Sequence, residues 1–98
     1  MLLVAIEFRV DPDDRTRFAE IADALADPTR EEEGCNFFEF WSDLGETGLF
    51  LAHEGWESPA DLERHRTTPH VAAFKSAAAE IDARVVTASY YDATATSA

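Results

Sequence analysis

Three histidines, His53, His65 and His70, lie in one stretch from Phe50 to Phe74 that also holds Glu54 and Trp56. An imidazole changes charge near neutral pH, so each is a candidate general base or metal ligand. His65 and His70 are five residues apart with Pro69 between them, whereas two metal ligands on one helix want a spacing of four. This spacing predicts that the rings do not share a face. With one cysteine and no His-x-x-x-His pattern, it predicts no zinc or iron site. Taken alone, His65 is most simply a surface residue among Glu63, Arg64 and Arg66, and His70 a helix N-terminal residue bonded to backbone. The sharper reading makes His65 a base. It lies three residues beyond Leu62, beside the buried stripe of a short helix, while Arg64 and Arg66 fall outside. His70 is the second candidate.

Other side chains on this stretch and its neighbours could assist. Trp56 is either a core residue or an indole donor on a pocket wall, and Glu54 either pairs with an arginine or shares that wall. Asn36 shares a parity with Phe38 and Phe40, and a buried Asn needs partners or a cavity. Cys35 has no Lys or Arg beside it to lower its pKa and reads as a packed small residue. The chain has no glycine-rich phosphate loop, no serine nucleophile elbow and no dinucleotide fingerprint.

The elements that must position these residues follow from pattern. Leu2 to Val10 alternates with period two and predicts a strand whose apolar face is Leu2, Val4, Ile6, Phe8 and Val10. Asp11-Pro12 caps and starts a helix, with Phe18, Ile21, Ala22 and Leu25 as its buried stripe and an end near Asp27-Pro28. The triplet Glu31-Glu32-Glu33 reads as a solvated face. Cys35–Ser42 and Leu49–Trp56 predict two strands joined by a glycine-containing turn. Ser58 and Thr68 each precede a proline and predict two helix starts, one helix running to about Arg66 and one burying Val71, Phe74, Ala78 and Ile81. Arg84–Tyr91 predicts a fourth strand.

The order strand, helix, strand, strand, broken helix, strand is the βαββαβ pattern of a ferredoxin-like α+β fold, a four-stranded antiparallel sheet with its helices on one face. Strands two and three carry apolar residues on both faces, and one helical layer covers only one. A homodimer that buries Phe37, Trp41, Leu49 and Leu51 is therefore expected. The organisation expected is one domain over residues 1–98, with a core over 2–91 and a flexible tail over 92–98.

The formal charge of the 98 residues is −12, which argues against nucleic acid and anionic membrane partners. The single cysteine excludes an internal disulfide and fits a reducing, cytoplasmic setting. The first strand is interrupted by Glu7 and Arg9 and does not read as a signal peptide, and no apolar run suffices for a membrane span.

Several of these residues together resemble the antibiotic biosynthesis monooxygenase domain. They are Glu32-Glu33-Gly34-Cys35, Phe38-Glu39-Phe40, Phe50, Glu54-Gly55-Trp56, Ser58-Pro59-Ala60-Asp61-Leu62, His65, Thr68-Pro69-His70-Val71 and Phe74. The resemblance runs from Leu2 to Tyr91. It implies a dimeric α+β barrel and, in some members, cofactor-free oxygenation of quinol- or anthrone-like aromatics by dioxygen. Other relatives degrade haem, isomerise small metabolites or have no known activity. The haem-degrading branch uses an Asn on the first strand and a His late in the last helical segment, and this chain has neither. The function expected is thus a monooxygenase without a cofactor. His65 or His70 would be its base, Asn36 and Trp56 its donors, and Phe8, Phe38, Phe40, Phe50 and Phe74 its walls. The alternatives are a non-catalytic or metabolite-binding dimer, or an isomerase that uses the same His as a proton shuttle.

Overall fold

A computed structural model describes residues 1–97. Strand β1 (Leu2–Arg9) leads through a 3-10 turn (Pro12–Asp14) into helix α1 (Arg15–Thr29). Strands β2 (Cys35–Ser42) and β3 (Leu49–Trp56) follow, then helices α2 (Pro59–His65) and α3 (Pro69–Glu80), then strand β4 (Arg84–Asp92). The sheet order is β2-β3-β1-β4 and every pairing is antiparallel. This is the expected ferredoxin-like α+β fold.

The register explains which residues enter the core. Val4 lies opposite Glu54, Ile6 opposite Ala52 and Phe8 opposite Phe50. These residues and Trp56 share one face, and the buried cluster joins that face to Phe18, Ile21, Ala22, Leu25, Leu62, Val71, Phe74 and Ala78 of the helices. The core is aromatic at its centre. Phe18 has Phe8, Phe40, Phe50 and Phe74 around it, with ring centroids 4.6–6.0 Å away.

Local chemistry sets the helix ends. Asp11 accepts from the Asp13 N–H, Ser58 from the Asp61 N–H and Thr68 from the Val71 N–H. Thr68 Oγ1 also donates to the His65 carbonyl at 2.8 Å, so one hydroxyl ties the end of α2 to the start of α3. Helix α1 departs from expectation by continuing through Pro28 to Thr29. A proline in the last turn removes only one backbone donor. The Thr29 hydroxyl bonds Leu25 O at 2.6 Å and the Arg30 N–H bonds Ala26 O at 3.0 Å, so the turn closes. The C-terminal tail also departs at its start. Asp92 ends β4 and Ala93 exchanges two backbone bonds with Met1. The last residue of the expected tail, Ala98, lies outside the described residues.

Candidate active site

A cavity of about 250 Å³ opens between the inner face of the sheet and helices α2 and α3. Its wall is mostly apolar, with Val4, Ile6, Phe8, Phe38, Phe40, Leu62, Val71 and Phe74. Two titratable groups, Glu54 and His65, sit deep in it, and Arg66, Lys75 and Tyr90 stand where it meets solvent. A mostly apolar pocket with a few convergent polar groups is the usual form of a small-molecule site.

His65 ends α2 and is only 6% exposed. Its ring lies 4.7 Å from the Trp56 ring and 5.6 Å from Phe38. Its Nδ1 meets Glu32 Oε2 at 2.7 Å. With the carboxylate ionised, Nδ1 carries the proton and donates it, which leaves Nε2 with a lone pair. No described residue bonds Nε2, and among the described residues no fully occluded polar side-chain atom lacks a partner, so Nε2 is not sealed off, and His65 is one of the residues that line the cavity. The pKa of His65 lies below the ordinary histidine value. Burial is the main cause, and the Glu32 bond and charge act against it.

Glu32 belongs to the acidic triplet expected to be a solvated face. Instead it turns inward from the connector between α1 and β2, and the same Oε2 accepts from His70 Nε2 at 2.8 Å. Gly34 (φ +82°) makes the tight turn that follows, with the Asp61 side chain against its backbone. The expectation that His65 and His70 diverge is corrected here. It holds for one continuous helix, but the break before Pro69 folds α3 back and brings the rings to 6.1 Å. Glu32, His65 and His70 are the one His/Glu group among the described residues whose ligand atoms are close enough to hold a metal. The two hydrogen bonds to a shared oxygen already account for their approach. His70 does not line the cavity; it holds the outer side of Glu32 beside a shallow groove with Arg17 and Glu20.

Glu54 is 4% exposed on β3. The Trp56 indole N–H donates to its Oε1 at 3.0 Å. Burial pushes its pKa up to about 7 against that bond. Both donors expected from sequence are therefore placed elsewhere. Trp56 is fully buried behind the cavity wall and its N–H is committed to Glu54. Asn36 is exposed, because a bulge between Cys35 and Phe37 shifts the register and turns it away from Phe38 and Phe40. Of the expected walls, Phe8, Phe38, Phe40 and Phe74 line the cavity. Phe50 does not: it packs on Phe18 at 4.6 Å, near the β2–β3 turn. Cys35 is half-buried, and burial with the nearby Glu32 and Glu54 charges pushes its thiol up to about 11, which keeps it protonated and inert.

The family model described as antibiotic biosynthesis monooxygenase matches residues 1–77. Synechocystis "Uncharacterized protein sll1783" is 33% identical over 70% of this chain, which spans 47% of that protein's length. "Putative monooxygenase Rv0793" of Mycobacterium tuberculosis is 33% identical over 85% of this chain and 81% of its own. A Deinococcus radiodurans structure, described as a "putative antibiotic biosynthesis monooxygenase", superposes with a TM-score of 0.90 over 98% of this chain and 95% of its own. At 21% identity that likeness is one of fold.

Proposed function

Because this chain belongs to the antibiotic biosynthesis monooxygenase family, we propose that it oxygenates a small quinol- or anthrone-like aromatic with dioxygen and no cofactor. The observation that carries this reading is His65: buried, held neutral, fixed through Nδ1 by Glu32, and presenting Nε2 to an apolar cavity. A general base must be unprotonated and aimed, and this one is both.

The chemistry balances without an added reductant. His65 Nε2 takes a proton from an activated methylene or its enol. The resulting anion passes one electron to dioxygen, the radical pair joins at carbon, and the peroxide anion takes the proton back from His65 to give a hydroperoxide. Loss of water leaves a ketone, so one oxygen atom enters the product and the other leaves as water. The aromatic walls exclude solvent, which strengthens the electrostatic interactions on which the proton transfer depends. The partners proposed are the aromatic, dioxygen and a second copy of this chain.

Oxygen uptake with an anthrone tests the reading. His65→Gln should cut turnover by about 10²–10⁴-fold, the usual worth of a positioned base. The wild-type rate should fall on the acid side at a pH below 6.5, the ordinary histidine value, because the folded pKa is lowered. Full activity in the variant would remove His65 from the mechanism. Stoichiometric iron, zinc, haem or flavin in the purified protein, required for turnover, would remove the cofactor-free chemistry. Proton exchange at carbon with no oxygen uptake would favour an isomerase.

A further inference from the structure

Neither Asn36 nor Trp56 supplies a donor for the oxygen that gains charge, and Arg66, Lys75 and Tyr90 stand at the cavity mouth. Glu54 is the candidate deep in the wall, beside His65, and its surroundings point to a ligand. It is a carboxyl more than nine-tenths buried on the cavity wall. One oxygen is committed to the Trp56 indole. The other, Oε2, has no partner among the described residues, and because no fully occluded polar side-chain atom is left unbonded, it faces the cavity space. A carboxyl oxygen with no protein partner that is open to the cavity is free to bond a ligand there.

We propose that Glu54 contacts the substrate directly, its Oε2–H donating a hydrogen bond to the ring oxygen that becomes negative when His65 removes the proton. This rests on the oxygenase reading and adds the electrostatic half of it, since a donor aimed at developing charge in a dry site stabilises the transition state most. It also defines the substrate at that end. The ring must carry a ketone, enol or phenol oxygen, and a hydrocarbon edge is disfavoured. Trp56 joins the two halves: it bonds Glu54 with its N–H and packs its ring against His65, tilted by 38°.

The donor state depends on the groups around it. Arg66 at the end of α2 favours the ionised carboxyl and Glu32 of the connector opposes it. His65 of α2, Lys75 of α3 and Tyr90 of β4 share the cavity, and the Cys35 thiol of β2 stays neutral nearby. Burial outweighs these charges, and Glu54 loses its proton at about 7. A ligand that can only accept should therefore bind below that pH and weaken above it.

The probes are α-tetralone, an aromatic ketone that only accepts, and tetralin, its hydrocarbon counterpart. Calorimetric titration under nitrogen keeps oxygenation out of the readout, so a failure here is separate from a failure of oxygen uptake. In wild type at pH 5.5 the ketone should bind about 3- to 10-fold tighter than tetralin, the net worth of one hydrogen bond. The advantage should vanish by pH 8.5. Glu54→Gln keeps a donor that cannot ionise and should hold the advantage at both pH values. Glu54→Leu should abolish it. The proposal is overturned if wild type shows no ketone advantage, if the advantage survives in Glu54→Leu, or if Glu54→Gln keeps the wild-type pH profile.

Discussion

Residue scale. The Glu32 carboxylate does two things to His65 that can be separated. It fixes the tautomer by accepting the Nδ1 proton, and its negative charge holds the imidazole pKa up against burial. Glu32→Gln keeps the size but removes the charge. The pKa of His65 should then fall further, so the acid limb of the pH–rate profile should move to lower pH while the plateau rate drops with the weaker base. An unmoved limb would mean that Glu32 only fills space. Glu54 has the opposite linkage. Its folded pKa is raised from 4.5 to about 7, so the stability it contributes is complete below 4.5 and is lost as pH rises through 7. That shift corresponds to about 3 kcal/mol. Thermal melts of Glu54→Gln and wild type should agree at pH 4 and diverge by pH 8, with the glutamine protein the more stable. Coincident curves at pH 8 would show that the carboxyl stays solvated.

Element scale. The site is assembled at two joints, the connector that carries Glu32 and the break between α2 and α3. Gly34 locks the first through a left-handed backbone with no room for a side chain against Asp61. Gly34→Ala should cost about 1–3 kcal/mol. At about 4–8 °C per kcal/mol, the melting temperature should fall by roughly 4–24 °C. An unchanged melt would mean that the connector relaxes freely. These joints also mark where the sequence stops being readable. The strands, the caps at Ser58 and Thr68 and the buried stripes follow from period and cap chemistry, which act within a few residues. So does the inward side of Phe38 and Phe40. The convergence of His65 and His70 does not, because it depends on the angle between two helices. Nothing local separates Glu32 from Glu31 and Glu33 either, although the family resemblance includes it. Asn36 is hidden for a related reason: one extra residue in a strand inverts parity, and no glycine or proline stands at the bulged position itself.

Whole-molecule scale. The three helices pack on one face of the sheet, and the core draws its residues from that face alone. The other face carries Leu3, Ala5, Phe37, Leu49 and Leu51, half-buried, with Trp41 59% exposed and Tyr91 53% exposed. The Phe37 ring packs on His53 at 4.6 Å, tilted by 39°, and the Trp41 indole donates to Glu39 at 3.1 Å. An apolar face of this kind fits a second copy of itself about a two-fold axis. The net charge sets the condition for association. Two chains of −12 each repel at long range, so burial of apolar surface must exceed that repulsion, and salt should shift the balance toward the dimer by screening it. Trp41→Glu would remove apolar surface from the proposed contact and place an acid where association would desolvate it. Light scattering at micromolar protein should find a wild-type dimer that tightens between low and moderate salt, and a Trp41→Glu chain shifted toward monomer with its fold intact by circular dichroism. A wild-type monomer under both conditions would leave the sheet face exposed in solution and reject the dimer.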